Sequence, residues 1–92
     1  MMSAVNQHHI MTNTEKQARK TLRQKGIKAF WYFKSEAVQY GVAMVQGKPM
    51  QLTISNTRNE LRGRAGFPVH FSPTPKMEKG LAAARKFCKA VA

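Results

Sequence analysis

The sequence predicts an α+β fold of two layers, a three-stranded antiparallel sheet with an N-terminal and a C-terminal helix and room for a short fourth strand. Three observations predict it. Residues 27–55 hold three runs in which apolar, β-branched or aromatic residues alternate with others, separated by short turn signals. A capping pattern opens a helical stretch before these runs, and Thr74-Pro75 opens another after them. At 92 residues and 42% apolar composition, the chain has core enough for one domain and not for two.

Residues 1–13 (MMSAVNQHHIMTN) are polar and aperiodic and read as a flexible leader, leaving 14–92 as a single basic domain. Thr12-x-x-Glu15 and Thr14-x-x-Gln17 are competing capping boxes that start the first helix near Thr14. Lys25 ends it, and Gly26 supplies the left-handed stop. Ile27 to Lys34 (IKAFWYFK) forms the first strand, with Ile27, Ala29, Trp31 and Phe33 on one face and Lys28, Phe30, Tyr32 and Lys34 on the other. After Ser35-Glu36-Ala37 the second strand runs from Val38 to Gln46, with Val38, Tyr40, Val42 and Met44 sharing a face. Gly47-Lys48-Pro49 turns the chain into the third, Met50 to Ser55.

Asn56 to Gly66 (NTRNELRGRAG) reads as a basic, partly helical loop. Phe67, Val69 and Phe71 then alternate in a run that Pro68 confines to an edge strand or extended segment, the place for a fourth strand. Thr74 caps the last helix with Pro75 at its first position. Met77, Leu81, Ala84, Cys88 and Val91 fall on the side that packs on the sheet, opposite Lys79, Arg85, Lys86 and Lys89.

Sixteen Lys and Arg stand against four Glu and no Asp, a formal charge of +12. An excess this large repels itself in a compact state and points to a polyanionic partner. Lys16, Arg19, Lys20 and Arg23 recur at i, i+3, i+4 and i+7, and packing Ala18 and Leu22 inward aims all four at solvent. Their like-charged pairs each cost about 0.2–0.5 kcal/mol, a repulsion that bound phosphates would relieve. Arg58, Arg62 and Arg64 form a second cluster, whose forked guanidiniums match phosphate geometry and whose neighbours Gly63 and Gly66 permit close backbone approach. A third places Phe30 and Tyr32 between Lys28 and Lys34, an arrangement able to stack unpaired bases, although such aromatics more commonly belong to a core.

Catalytic, metal and cofactor chemistry find little footing. Glu15, Glu36, Glu60 and Glu78 are dispersed, and His8 and His9 point apart on regular structure with no metal set to complete. Cys88 reads as a small buried hydrophobe, and His70 is the sole candidate for a lone acid or base. A single Cys makes no internal disulfide and fits a reducing cytoplasm. No apolar run approaches the roughly 18 residues of a membrane span, so the expectation is a cytoplasmic protein with no membrane partner.

The order helix, three strands, helix, with Lys76 and Lys79 at the start of an Ala-rich last helix (KMEKGLAAARKFCKAVA), resembles the double-stranded RNA-binding fold. There, lysines at the final helix grip phosphates across the groove, which implies that role for Lys76 and Lys79. Small toxin ribonucleases that depend on one histidine share the fold, and His70 is the matching candidate. In its size, its basic single domain, its start MTNTEKQARK and its lack of enzyme motifs, the whole chain resembles the small phage-encoded anti-CRISPR proteins that inhibit the type I-F surveillance complex. This resemblance implies a non-enzymatic inhibitor that lies on the guide RNA or the target-DNA path of a ribonucleoprotein in the host cytoplasm and blocks DNA targeting. A free-standing nucleic-acid-binding regulator and a ribonuclease using His70 are the alternative readings.

Overall fold

The computed structural model describes residues 12–91. The order is α1 (Asn13–Gln24), β1 (Ala29–Lys34), β2 (Val38–Val45), β3 (Lys48–Ser55), β4 (Glu60–Ala65) and α2 (Pro75–Val91). The leader read from the sequence lies, up to residue 11, outside the described residues; Thr12 and Asn13 already belong to the domain.

Local chemistry explains how α1 begins and ends. Of the two competing caps, Thr12 is the one used: its backbone is extended and its hydroxyl accepts from the Glu15 amide at 3.1 Å. At the other end Gly26, at φ 71°, donates to the Arg23 carbonyl, and Ile27 donates to that of Leu22. This is a Schellman closure, completed by apolar packing of Ile27 in the cluster around Leu22.

The four strands form an antiparallel meander in the order β1-β2-β3-β4. Gln46 and Gly47 make the β2–β3 turn, both at positive φ, as a two-residue hairpin matched to strand twist requires. The turn thus lies one residue before the expected Gly47-Lys48-Pro49, and Lys48 and Pro49 already pair with Val45 and Met44.

The fourth strand is where the sequence reading needs most correction. Asn56 to Gly66 is not a loop: only residues 56–59 turn, and Glu60–Ala65 pairs with β3 from Ser55↔Glu60 to Met50↔Ala65. Glu60, Gly63 and Ala65 lower its strand propensity, but an edge position tolerates polar and charged residues, and Gly63 leaves room for Met50 and Leu52. Phe67 to Phe71 forms no strand. Phe67 packs against the core and Pro68 is buried, while Val69 and Phe71 are 86% and 98% exposed.

A second correction concerns the layers. Register places Phe30, Val42, Gln51 and Arg64 in one row, and Trp31, Gly41, Leu52 and Gly63 in the neighbouring row on the opposite face. Around Val42 and Tyr32 pack Leu81 and Ala84 of α2; around Ala43 and Leu52 packs Leu22 of α1. The helices therefore cover opposite faces, giving three layers instead of two. Both faces of the sheet are apolar at its centre, so a helix on one side alone would leave the other wet. The α2 helix comes close to β1 through Gly80, where a β-carbon would stand 2.5 Å from the Tyr32 carbonyl oxygen. It packs chiefly on β1 and β2, leaving β3 and β4 open on that side.

Between Trp31 and Phe33 the register of β1 against β2 slips by one residue at Tyr32, a β-bulge. Beyond it the expected alternation inverts. Phe33 joins the α2-side cluster, and Lys34 turns to the α1 side opposite Gln39.

Candidate nucleic-acid interface

Three of the four predicted α1 cations, Lys16, Lys20 and Arg23, are exposed along its outer side. Arg19 is not part of that stripe. At 100° per residue it stands only about 60° from Leu22, on the shoulder of the buried face. Its guanidinium lies 5.3 Å from the centre of the Trp31 ring, and Nη2 donates to Gln39 Oε1 at 3.4 Å. Gln39 is completely buried, and neither its Nε2 nor Arg19 Nε has a hydrogen-bond partner among the described residues. Glu15, also buried, lies 3.5 Å from Lys34 Nζ. One Arg and one Lys of the predicted interface thus serve the contact between α1 and the sheet.

Phe30 and Tyr32 follow the commoner of their two readings and belong to the core, so they form no base platform between Lys28 and Lys34. Phe30 stacks on Phe87 at 5.6 Å beneath α2, and Tyr32 is a core residue. The bulge sends Lys34 to the other face, and Lys28 precedes β1 at its free edge. There Lys28 meets Arg19 and Arg23 around a groove of about 390 Å³. Leu22, Ile27, Ala29, Trp31 and Phe87 make up its apolar lining, and among the described residues no carboxylate faces it. The groove needs β1 as an edge strand and two helices on opposite faces, so no local sequence signal announces it.

Arg62 and Arg64 lie on β4, two residues apart, so both project from the open half of the sheet beside Gln51 and Thr53. Arg62 Nε is held 3.0 Å from Glu60 Oε1. Arg58 is separated from them on the β3–β4 turn, where its amide donates to Ser55 Oγ. Asn56 and Asn59 of the same turn accept from Thr12 and Thr14, which ties it to the start of α1.

On α2, Lys76, Lys79, Lys86 and Lys89 are exposed. Arg85 lies 5.1 Å over the Phe67 ring, partly engaged in holding the β4–α2 connection. Cys88 is half-buried on the helix's inner side, where burial pushes its thiol pKa up.

His70 lies in that connection, with Nε2 2.7 Å from the Tyr32 hydroxyl and its ring 5.2 Å from that of Tyr40. Burial, and secondarily Tyr40, push the Tyr32 pKa up to about 12. The hydroxyl donates to Nε2 in the tautomer protonated at Nδ1 and accepts from it in the tautomer protonated at Nε2. His8 and His9 lie outside the described residues.

Comparison of the chain with protein-family models, with curated proteins and with solved structures gives no match. No described helix is long and apolar enough to cross a membrane.

Proposed function

We propose that the protein is a non-enzymatic binder of nucleic-acid phosphate that docks on a ribonucleoprotein and blocks RNA-guided DNA targeting. A type I-F CRISPR surveillance complex in the host cytoplasm is the form that the whole-chain resemblance implies. The observation that carries the binding reading is the state of the cations. Of sixteen Lys and Arg, only Lys34 and Arg62 meet a carboxylate among the described residues. The exposed remainder occupies more than one side and includes Lys16, Lys20 and Arg23 on α1, Arg64 on the open sheet face, and Lys76, Lys79, Lys86 and Lys89 on α2. A free duplex lying on one face neutralises one of these groups, whereas nucleic acid held in a protein groove offers phosphate to several. Phosphate contacts of this kind position a protein without reading sequence.

Two measurements test this. Affinity capture of the tagged protein from a host that carries the complex, with and without nuclease, should retain the complex's subunits; recovery of no ribonucleoprotein would remove the docking reading. Binding of the isolated protein to duplex DNA should weaken with salt, with a slope of log K on log salt near −5 if about six phosphates are neutralised. A flat response would remove phosphate contact as its main driver.

A further inference from the structure

We propose that the groove at the free edge of β1 is a nucleotide site: it takes one unpaired base of a bound strand, and Arg23 and Lys28 take the adjoining phosphate. The proposal rests on the phosphate-binding reading and deepens it, because it names the state of the nucleic acid as unpaired at the point of contact.

Size comes first. The groove, about 390 Å³, falls within the roughly 300–1,000 Å³ of small-molecule sites, room for a nucleotide and far too little for a duplex. Chemistry narrows the occupant. Leu22, Ile27 and the edges of the Trp31 and Phe87 rings offer an apolar surface, while Arg23, Lys28 and Arg19, whose guanidinium lies over Trp31, bring three cations with no acid opposite them among the described residues. An inorganic anion has no use for the apolar surface, and an apolar ligand has none for the cations. A nucleotide joins both halves: a flat base that packs on aromatic or guanidinium planes, and a phosphate at one end.

Position and rigidity support the same occupant. Among the described residues the strand bordering the groove pairs only with β2, so its outer edge holds backbone donors and acceptors for the polar rim of a base. Arg19 is already held over Trp31, so binding does not have to order it. Arg23 also belongs to the exposed face of α1, and the rest of a strand can continue past Lys20 and Lys16.

Trp31 is the single tryptophan and lines the groove, so its emission reports occupancy. The full-length protein is titrated with an end-labelled thymidine decamer, whose bases stack little on one another, and with a decamer of abasic sites carrying the same phosphates. Trp31 emission and label anisotropy are followed together. The thymidine strand should quench Trp31 and bind about tenfold more tightly than the abasic one, as one added base stack predicts. Arg23→Ala with Lys28→Ala should abolish that difference, while Lys86→Ala with Lys89→Ala should keep it. All four residues are exposed, and unchanged thermal unfolding verifies that each variant is folded. Equal affinity for both decamers with Trp31 unmoved would overturn the nucleotide site and leave the phosphate-binding reading standing. Binding of neither decamer at low salt would overturn both. A Trp31 response to an acidic peptide and not to either strand would make the groove a protein-docking site and overturn the proposal.

Discussion

Trp31 lies across Gly41, its cross-strand partner, so closely that a β-carbon on Gly41 would stand 2.8 Å from Cζ3 and 2.9 Å from Cδ2 of the indole. Arg19 covers the indole from the helix side. The ring is thus stacked between a glycine backbone and a guanidinium, and it links α1, β1 and β2 at the edge where the proposed site lies.

Gly41→Ala tests that stack. Elsewhere in a strand interior, alanine in place of glycine would stabilise through lower chain entropy. Here the added methyl displaces the indole, and overpacking of a tight contact typically costs about 1–3 kcal/mol. Urea denaturation should show a loss in that range, with a shift in Trp31 emission in the folded state.

Arg19 and Lys20 are neighbours in sequence with different roles, and alanine substitution should separate them. Arg19→Ala removes the guanidinium from Trp31 and from Gln39 and should cost about 1–2 kcal/mol. Lys20→Ala should stay within about 0.5 kcal/mol in stability. If Lys20 contacts phosphate, its loss should reduce the salt slope on duplex DNA by about 0.9. Denaturation and salt-dependent binding of the two variants give the comparison.

Tyr32 sets a limit on stability in alkali. Its folded pKa of about 12 lies above the ordinary value of 10.0, so between these values the folded state holds more protons than the unfolded one. Its contribution is complete below pH 10 and is lost as pH rises towards about 12. Comparison with Tyr32→Phe isolates this one group: the wild-type chain should lose stability more steeply than that variant across the window. Equal slopes would show that Tyr32 titrates normally.

His70→Ala separates a structural histidine from a catalytic one. It leaves the Tyr32 hydroxyl without its partner and should cost about 1–3 kcal/mol. Nucleic-acid affinity should be unchanged in the folded variant. Growth arrest on expression of the wild-type chain, relieved by His70→Ala, would restore the ribonuclease reading.

Arg62→Ala with Arg64→Ala should leave stability within about 0.5 kcal/mol, since both side chains project from an edge strand into solvent. If both meet phosphate, the duplex salt slope should fall by about 1.8, twice the value for one contact.

Much of the local architecture was legible because it depends on neighbours in the chain. Thr12 and Glu15 are three residues apart, so their cap is a sequence pattern before it is a structure. Gly26 stops α1 for a reason intrinsic to glycine, and the alternation in Met50, Leu52 and Ile54 needs only the period of a strand. The inner side of α2 follows from the spacing of Leu81, Ala84 and Cys88.

The candidate site was less legible because tertiary contacts redistribute residues that look alike in sequence. Four α1 cations appear equivalent at helical spacing, yet Trp31, contributed by another element, draws Arg19 inward. Glu60 to Ala65 looks like a loop, since Glu60, Gly63 and Ala65 have low strand propensity, and becomes a strand because the edge of β3 pairs with it. One extra residue at Tyr32 sends Lys34 away from the aromatics it was expected to frame. Composition and short-range pattern therefore determined the charge, the caps, both helices and three of the strands. The fourth strand, the opposite placement of the helices and the groove at the edge of β1 were decided by contacts distant in sequence, where backbone pairing and burial outweigh local preference.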